Sequence, residues 1–494
     1  MLIRASEIPG RGVLDVRLGD GRILEIARAL RAAPGEATLD AAGGALLPGL
    51  HDHHIHLLAL AAARASIPCG PPDTRDPPAL AQTLLRAARS TPTGEWLRGV
   101  GYHESVAGPL DRDALDGWVA DRPLRIQHRS GALWMLNSAG LSALGVDRVR
   151  PDDPEGLESD ARGRPTGRFF RADDWLRARL ERRAPSPAPL LSQVGLELAS
   201  YGVTGVTDAT PDATGARVRA LEGALAGGEL RQRIRVMAAL DPCPRERRAR
   251  GLEWGPLKQL LDERSLPSLE DLAARIARSH LEGRPVALHC VTRSEIVLAL
   301  GALEAARAVD SAAAASQALR GSPDRIEHAA IAPPEIAQWI ARLGVSVVTQ
   351  PHFVSERGDE YRADVDPRDR EWLYRVRGLL EAGIAVGAGS DAPFGHPDPW
   401  RSMRAAVERR TASGVRLGAG EAVSPERALA LFTSPADDPG GPPRAIAAGS
   451  AADLCLLDCS WQVARRALSS AHVRSTFRAG EPIWSREGCD QRGP

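Results

Sequence analysis

The stretch PVALHC at residues 285–290 decides how the middle of this chain is read: a short apolar run, too brief for a helix, with His289 at its close. Runs of four to eight apolar residues between helical patterns are the mark of strands in a parallel sheet. Working outward, the same pattern recurs as ALLPGL (45–50), VTGVTD (203–208), IRVMAAL (234–240), GPLKQLL (255–261), RIEHA (325–329), VSVVTQ (345–350) and AVGAGSD (385–391). With PVALHC these make eight, the number that closes a (β/α)8 barrel. The predicted class is therefore α/β, a TIM-like barrel over 48–439. Residues 57–200 are too long for one crossover and contain helical stretches such as ALAQTLLRAARS, so they read as an insertion after the first barrel strand, expected to cover the barrel mouth. At the ends, LIRAS, VLDVRL and RILEIA, the last two flanking Gly19, Asp20 and Gly21, return as ADLCLLD (452–458) and VRSTFRAG (473–480). Neither end can bury a core alone, so 1–47 and 440–494 are expected to form one small composite β-sandwich.

Composition narrows the function. The 494 residues balance 63 Lys plus Arg against 63 Asp plus Glu, with no basic run, which argues against a nucleic-acid or membrane partner and for a small-molecule substrate. Six cysteines lack a CxxC pair, no run of 18 apolar residues occurs, and the start has no apolar signal core, so a soluble cytoplasmic protein is expected. Homo-oligomeric assembly is left open. Sixty-two of the 63 basic residues are arginine; the single lysine is Lys258, inside the fourth predicted strand. Arginine stays charged at any working pH, whereas a lysine amine can be neutralised and used in chemistry.

PGLHDHHIHL (48–57) offers two His-x-His pairs, His51 with His53 and His54 with His56, and in an extended segment either pair faces one side and could hold one metal ion. His289, His328 and Asp391 close three further predicted strands, and C-terminal strand ends of such a barrel converge on one mouth. Two imidazoles, a carboxylate, a His-x-His and the lone lysine at strand ends of one barrel point to a metal site. Zinc is the default for imidazole and oxygen donors, although iron, manganese or cobalt suits the same set.

PGLHDHHIHL resembles the P-G-hydrophobic-x-D-x-H-x-H signature of the amidohydrolase superfamily. The segments GYHES, HRSGALWMLNSAGL, GRPTG, SPERALALFT and AIAAGSAADLCLLD are similar to its family three, the branch that contains N-substituted formamide deformylase. On that resemblance His54 and His56 are the first-strand ligands with Asp52 beside them, and His51 and His53 drop out. Lys258 becomes the bridging residue as a carbamate, the product of a neutral amine and CO2. His289 and His328 ligate from the fifth and sixth strands, and Asp391 from the eighth. The resemblance implies two divalent cations per chain, with one as the alternative, and hydrolysis of a nonpeptide carbon–nitrogen bond in a small amide or formamide. A metal-activated hydroxide would attack, and Asp391 would act as the proton-transferring catalytic group. An ester, lactone or cyclic amide is the rival substrate class, and a noncatalytic scaffold the rival from outside enzymology. Two departures, Ala132 where the branch commonly has histidine and Cys290-Val291-Thr292-Arg293 after His289, fall where substrate would be contacted. Tyr102, His103, Arg129, Asn137, Arg168 and His352 are the candidate substrate-binding residues, and PHFVSERGDEY (351–361) is expected as a mouth loop.

Overall fold

The computed structural model describes residues 1–183, 190–211, 215–238, 251–310 and 322–486. Eight parallel strands form the expected barrel sheet: β1 (Leu50–Ile55), β2 (Val203–Asp208), β3 (Arg233–Ala238), β4 (Leu252–Gln259), β5 (Val286–Cys290), β6 (Arg325–His328), β7 (Ser346–Thr349) and β8 (Val386–Ala388). They neighbour one another in chain order. Past the end of β8 the ring is completed by backbone bonds to β1: Asp391 N donates to His54 O at 2.7 Å, and His56 N donates to Ala392 O at 2.9 Å. Closure therefore delivers Asp391 to the histidines. Ala239 and Leu240, the end of the third predicted run, lie outside the described residues, as do Cys243 and Cys489.

The first strand differs from its prediction. ALLPGL does not enter the barrel: Leu46–Pro48 pairs antiparallel with Leu454–Leu457, and β1 starts at Leu50. Gly49 separates the two, and a Cβ there would stand 2.3 Å from the Thr204 side chain, so no other residue lets β1 approach β2 this closely. The histidine-rich octet is thus the strand itself, buried at every position from Leu50 to Ile55.

Two compact units make up the chain. One comprises Met1–Leu57 and Leu191–Pro494, the other Leu58–Leu190. Beside the barrel, the first unit contains two four-stranded sheets. One runs in the order Arg22–Ala27, Gly12–Gly19, Leu2–Ile8, Thr38–Asp40; the other in the order Glu481–Ser485, Val473–Arg478, Leu454–Leu457, Leu46–Pro48. Ile3, Val16 and Ile23 of one sheet share a buried core with Leu46, Leu454, Leu456 and Phe477 of the other. The hairpin turn at Asp20 and Gly21 has positive φ at both, 52° and 74°, the turn that matches the twist of paired strands.

The second unit is shorter than the expected 57–200, because the helix Leu191–Ser200 belongs with the barrel. It holds a six-stranded sheet that its sequence did not announce, in the order Leu157–Ser159, Pro165–Phe170, Leu133–Leu136, Leu124–His128, Leu97–Tyr102, Ile67–Pro68. ALAQTLLRAARS falls in the helix Pro77–Ser90, where Asp76 accepts from Ala79 N at 2.8 Å and a proline occupies the first turn. Leu80 and Leu84 of that helix join Leu97, Leu124, Ile126 and Met135 in the unit's core.

Candidate active site

The C-terminal ends of β1, β4, β5 and β6 and the turn after β8 converge. His56 Nε2 lies 3.1 Å and His54 Nε2 3.4 Å from the same oxygen, Oδ1 of Asp391. These three donor atoms all fall within 4.8 Å of one another. His328 joins them, its ring centroid 4.9 Å from that of His54, and its Nε2 stands 3.0 Å from His289 Nδ1. His328 and Asp391 both carry left-handed backbone, with φ of 68° and 53°. Such strain in non-glycine residues is typical of functional sites, where neighbouring structure fixes it.

Lys258 sits on β4, 5% exposed, and its Nζ has no hydrogen-bond partner. Burial pushes its amine below the ordinary lysine value, which favours the neutral form. His54 is held well below the usual histidine range, chiefly by burial, and burial lowers His328 as well. Burial would raise Asp391, but the hydrogen bond from His56, with the imidazoles of His54 and His328 beside it, outweighs burial and keeps the carboxyl ionised.

A second ring of partners orients the imidazoles. His54 Nδ1 is bonded to Glu327 Oε2, His328 Nδ1 to Gln350 Oε1 at 2.7 Å, and His56 Nδ1 to Thr210 Oγ1 at 3.3 Å. Glu327 and the Gln350 amide oxygen can only accept, so they place the ring hydrogens of His54 and His328 on Nδ1 and leave Nε2 with its lone pair, whereas the Thr210 hydroxyl can donate to His56 Nδ1 and leave the His56 Nε2 hydrogen for Asp391. Glu327 is completely buried, and its other oxygen accepts from Arg325 Nε. Arg325 in turn donates to His53 O at 3.0 Å. Asp52 braces the centre from behind: its Oδ1 accepts from His54 N and Ser390 N, both at 3.0 Å, and burial pushes its carboxyl up to about 7. Glu327, Gln350 and Thr210 were not singled out from sequence. Only Glu327 left a trace there, as a charged residue inside an apolar strand.

The remaining histidines of β1 are engaged elsewhere, His51 Nε2 with Thr207 Oγ1 at 2.9 Å and His53 Nε2 with Ser434 Oγ at 3.0 Å. His352 is fully buried. Its ring joins Ser402 Oγ at 3.2 Å to Ser390 O at 2.9 Å, fastening the helix His352–Asp364, which replaces the expected loop, to the turn that carries Asp391.

Five candidate substrate residues lie in the second unit, and each has local partners. Asn137 caps a helix, and its four hydrogen-bonding positions are engaged by Gly140 N, Leu124 N, Val119 O and Arg122 O. Tyr102 is fully buried and donates to Gly108 O. Arg168 bonds Leu110 O at 3.0 Å and pairs with Glu158 at 2.8 Å, and the Arg129 backbone N donates to Tyr102 O. His103 caps a short helix through Nδ1, which accepts from Ser105 N at 3.2 Å. Ser130 N likewise donates to His128 Nδ1 at 3.1 Å, and His128 Nε2 stands 3.0 Å from Glu104. In both rings the hydrogen is thus placed on Nε2.

At the barrel centre the donors fit a divalent cation. Imidazoles held neutral, an ionised carboxylate and a buried amine with nothing to bond are a poor arrangement in the absence of positive charge.

Parallel barrel, strand-end histidines and post-β8 aspartate together define a hydrolase built on the metal-site plan of a (β/α)8 barrel. The profile of the amidohydrolase family matches residues 37–484, and the chain belongs to that family. It is therefore an enzyme, an amidohydrolase-family hydrolase. It is 28% identical over 486 residues to the N-substituted formamide deformylase of Arthrobacter pascens, covering 86% of each chain. Among solved structures it is similar to an uncharacterized metal-dependent hydrolase of Pyrococcus horikoshii, at 18% identity, TM-score 0.70, and coverage of 96% of this chain and 99% of that one. It is also similar to the atrazine chlorohydrolase of Arthrobacter aurescens complexed with zinc, at 14% identity, TM-score 0.53, and coverage of 98% and 95%. No helix among the described residues is long and apolar enough to cross a membrane.

Proposed function

We propose that this chain is a metal-dependent hydrolase that cleaves the nonpeptide carbon–nitrogen bond of a small amide or formamide. The observation that carries the proposal is the convergence of His54 Nε2, His56 Nε2 and Asp391 Oδ1 in a site that also holds the buried, unpartnered amine of Lys258. His54, His56, His289, His328, Lys258 and Asp391 would hold two divalent cations, zinc by preference, as the zinc-containing structural relative suggests. Bound there, such ions supply Lewis acidity and bring the pKa of water to about 7.

The chain's own residues do the rest. Lys258, kept neutral by burial, can add CO2 through its lone pair and release one proton, giving a carbamate whose two oxygens suit a bridging position. Guanidinium lacks that lone pair, which accounts for one lysine among 62 arginines. Glu327, Thr210 and Gln350 hold the imidazoles with their ligating nitrogens inward. Asp391, ionised and hydrogen-bonded to His56, is placed to accept a proton from attacking water and to deliver one to the departing nitrogen. The 28% identity to the formamide deformylase favours an amide over the ester, lactone or cyclic amide that the same centre would accept. The complete ligand set speaks against a noncatalytic scaffold. The four described cysteines are free thiols, in keeping with a cytoplasmic setting.

Metal quantitation of native protein beside Lys258→Ala and Lys258→Arg, with matched amide and ester panels, tests the reading. About two equivalents are expected in the native protein, with a sharp loss in both variants. Equal metal content in all three would remove the bridging role, and faster turnover of the esters would transfer the assignment to the rival substrate class.

A further inference from the structure

Away from the barrel centre, three side chains of the C-terminal sheet meet at the surface. Asp458 and Cys459 follow the strand Leu454–Leu457, and His472 ends the short 3-10 helix Ser470–His472 that leads into Val473–Arg478. Asp458 N donates to His472 O at 2.8 Å, so the backbone fixes the approach. On that frame His472 Nδ1 stands 3.5 Å from Cys459 Sγ and 3.3 Å from Asp458 Oδ1. One donor atom from each residue falls within 4.8 Å of the other two.

These spacings are those of ligands on a common ion. Zinc bonds of about 2.3 Å to sulfur and about 2.0–2.2 Å to nitrogen and oxygen, at tetrahedral angles, separate an N–O pair by about 3.4 Å and an N–S pair by about 3.6 Å. Arg486 Nη1 takes the other carboxylate oxygen, Oδ2, at 2.7 Å, which leaves Oδ1 turned toward the histidine. Asp458 is exposed and its two companions are partly so, which leaves a way in for an ion and for a water as fourth ligand.

We infer that Asp458, Cys459 and His472 form a second metal site, selective for a thiophilic divalent ion such as Zn(II) and separate from the barrel centre. Thiolate, imidazole and carboxylate together discriminate against magnesium and calcium. Without metal the thiol is protonated at neutral pH, as a cysteine with an ordinary pKa of about 8.5 is. On binding, Cys459 releases its proton to solvent, and His472 moves its ring hydrogen from Nδ1 to Nε2 and ligates through Nδ1. Asp458 is already ionised, so one proton leaves per ion bound and the two negative ligands cancel the ionic charge. The ion would clip together two points 13 residues apart, at the outer end of the sheet that also contains Leu46–Pro48.

The inference does not depend on the proposed reaction, and sulfur separates the two sites, since every ligand assigned at the barrel centre is nitrogen or oxygen. The full-length protein, stripped by chelation and kept reduced with a phosphine, is titrated with Co(II) in the wild type, Cys459→Ser, His472→Gln and His54→Ala. The expected result is a thiolate-to-Co(II) charge-transfer band in the wild type and His54→Ala, absent from Cys459→Ser and weakened in His472→Gln. One proton should be released for each ion that produces the band. No band in the wild type at a several-fold excess of Co(II) overturns the inference, as does a band that survives in Cys459→Ser.

Discussion

Glutamine at position 327 would preserve the shape of the side chain while removing half of its capacity to accept hydrogen bonds. Two donors converge on this carboxylate, Arg325 Nε on Oε1 and His54 Nδ1 on Oε2, and the three residues are 2% exposed or less, so water cannot substitute for either contact. An amide has one acceptor and one donor. Turned toward Arg325, it sets its NH2 against the Nδ1 hydrogen of His54; turned the other way, it opposes the guanidinium. In the first orientation His54 must shift its hydrogen to Nε2, the atom that faces Asp391 at 3.4 Å and would carry the metal bond. A hydrogen bond to a charged group contributes about 1.5–3 kcal/mol, and each 1.4 kcal/mol is about tenfold in affinity. Glu327→Gln should therefore weaken metal binding roughly 10- to 100-fold, the range common for partners of metal-ligating histidines. Stability of the metal-free protein should also fall, by about 3 kcal/mol, near the lower bound for breaking a buried ion pair, because Arg325 keeps its 3.0 Å bond to His53 O. Competitive chelator titration gives the first quantity and denaturant unfolding of the stripped proteins the second. Unchanged zinc affinity in Glu327→Gln would refute the assignment of Glu327 as the residue that sets the tautomer of His54.

Two further outcomes can be measured without a substrate or with any amide panel. The metal-free protein should lose stability as pH falls below about 6.5, because His51, His53, His54, His328 and His352 are all held below their ordinary value by burial. The unfolded chain then takes up protons that the folded chain refuses, so their contribution is full above the unfolded value and is lost on the way down, by up to about 1.4 kcal/mol per pH unit for each imidazole. Asp52, raised to about 7, opposes this with one proton that the folded state keeps. Melts between about pH 5 and 7.5 should show a clear slope, and a flat profile would contradict burial of neutral imidazoles. Asn137→Ala should destabilise the second unit by about 2–4 kcal/mol, since it removes a helix cap and strands buried backbone groups. The ranking of amide substrates should not move, and a changed ranking at full folding would place Asn137 in the substrate site.

Most of the barrel was legible because strands buried on both faces read as unbroken apolar runs, and seven of the eight predicted segments fall on β2 to β8. The exception has a physical cause. ALLPGL is apolar because Leu46 and Leu47 are buried in the sheet they form with Leu454–Leu457, whereas β1 is polar because its inward positions carry histidines. Hydropathy could not separate those cases, although the spacing of His54 and His56 could. The partners of the histidines were hidden for another reason. Glu327 and His54 lie 273 residues apart, and no local pattern links them. Asparagine is a common helix-capping residue, and the four hydrogen bonds of Asn137 are all made within the second unit. The sheet of the second unit went unseen because strands such as Ile67–Pro68 and Leu157–Ser159 are too short to show a period.

Gly49 is the only residue between Leu46–Pro48 and β1, so the first ligand strand hangs directly from a sheet whose other members come from the far end of the chain. Leu47 is paired with Cys455, about 400 residues later. During synthesis His54 and His56 therefore leave the ribosome long before the strand that anchors their neighbours exists, and Asp391 also follows late. Such distant pairing implies slow, late consolidation of the barrel. A nascent chain interrupted before residue 454 would carry every candidate ligand of the barrel centre yet lack the strand that pairs with Leu46–Pro48, the segment from which β1 continues.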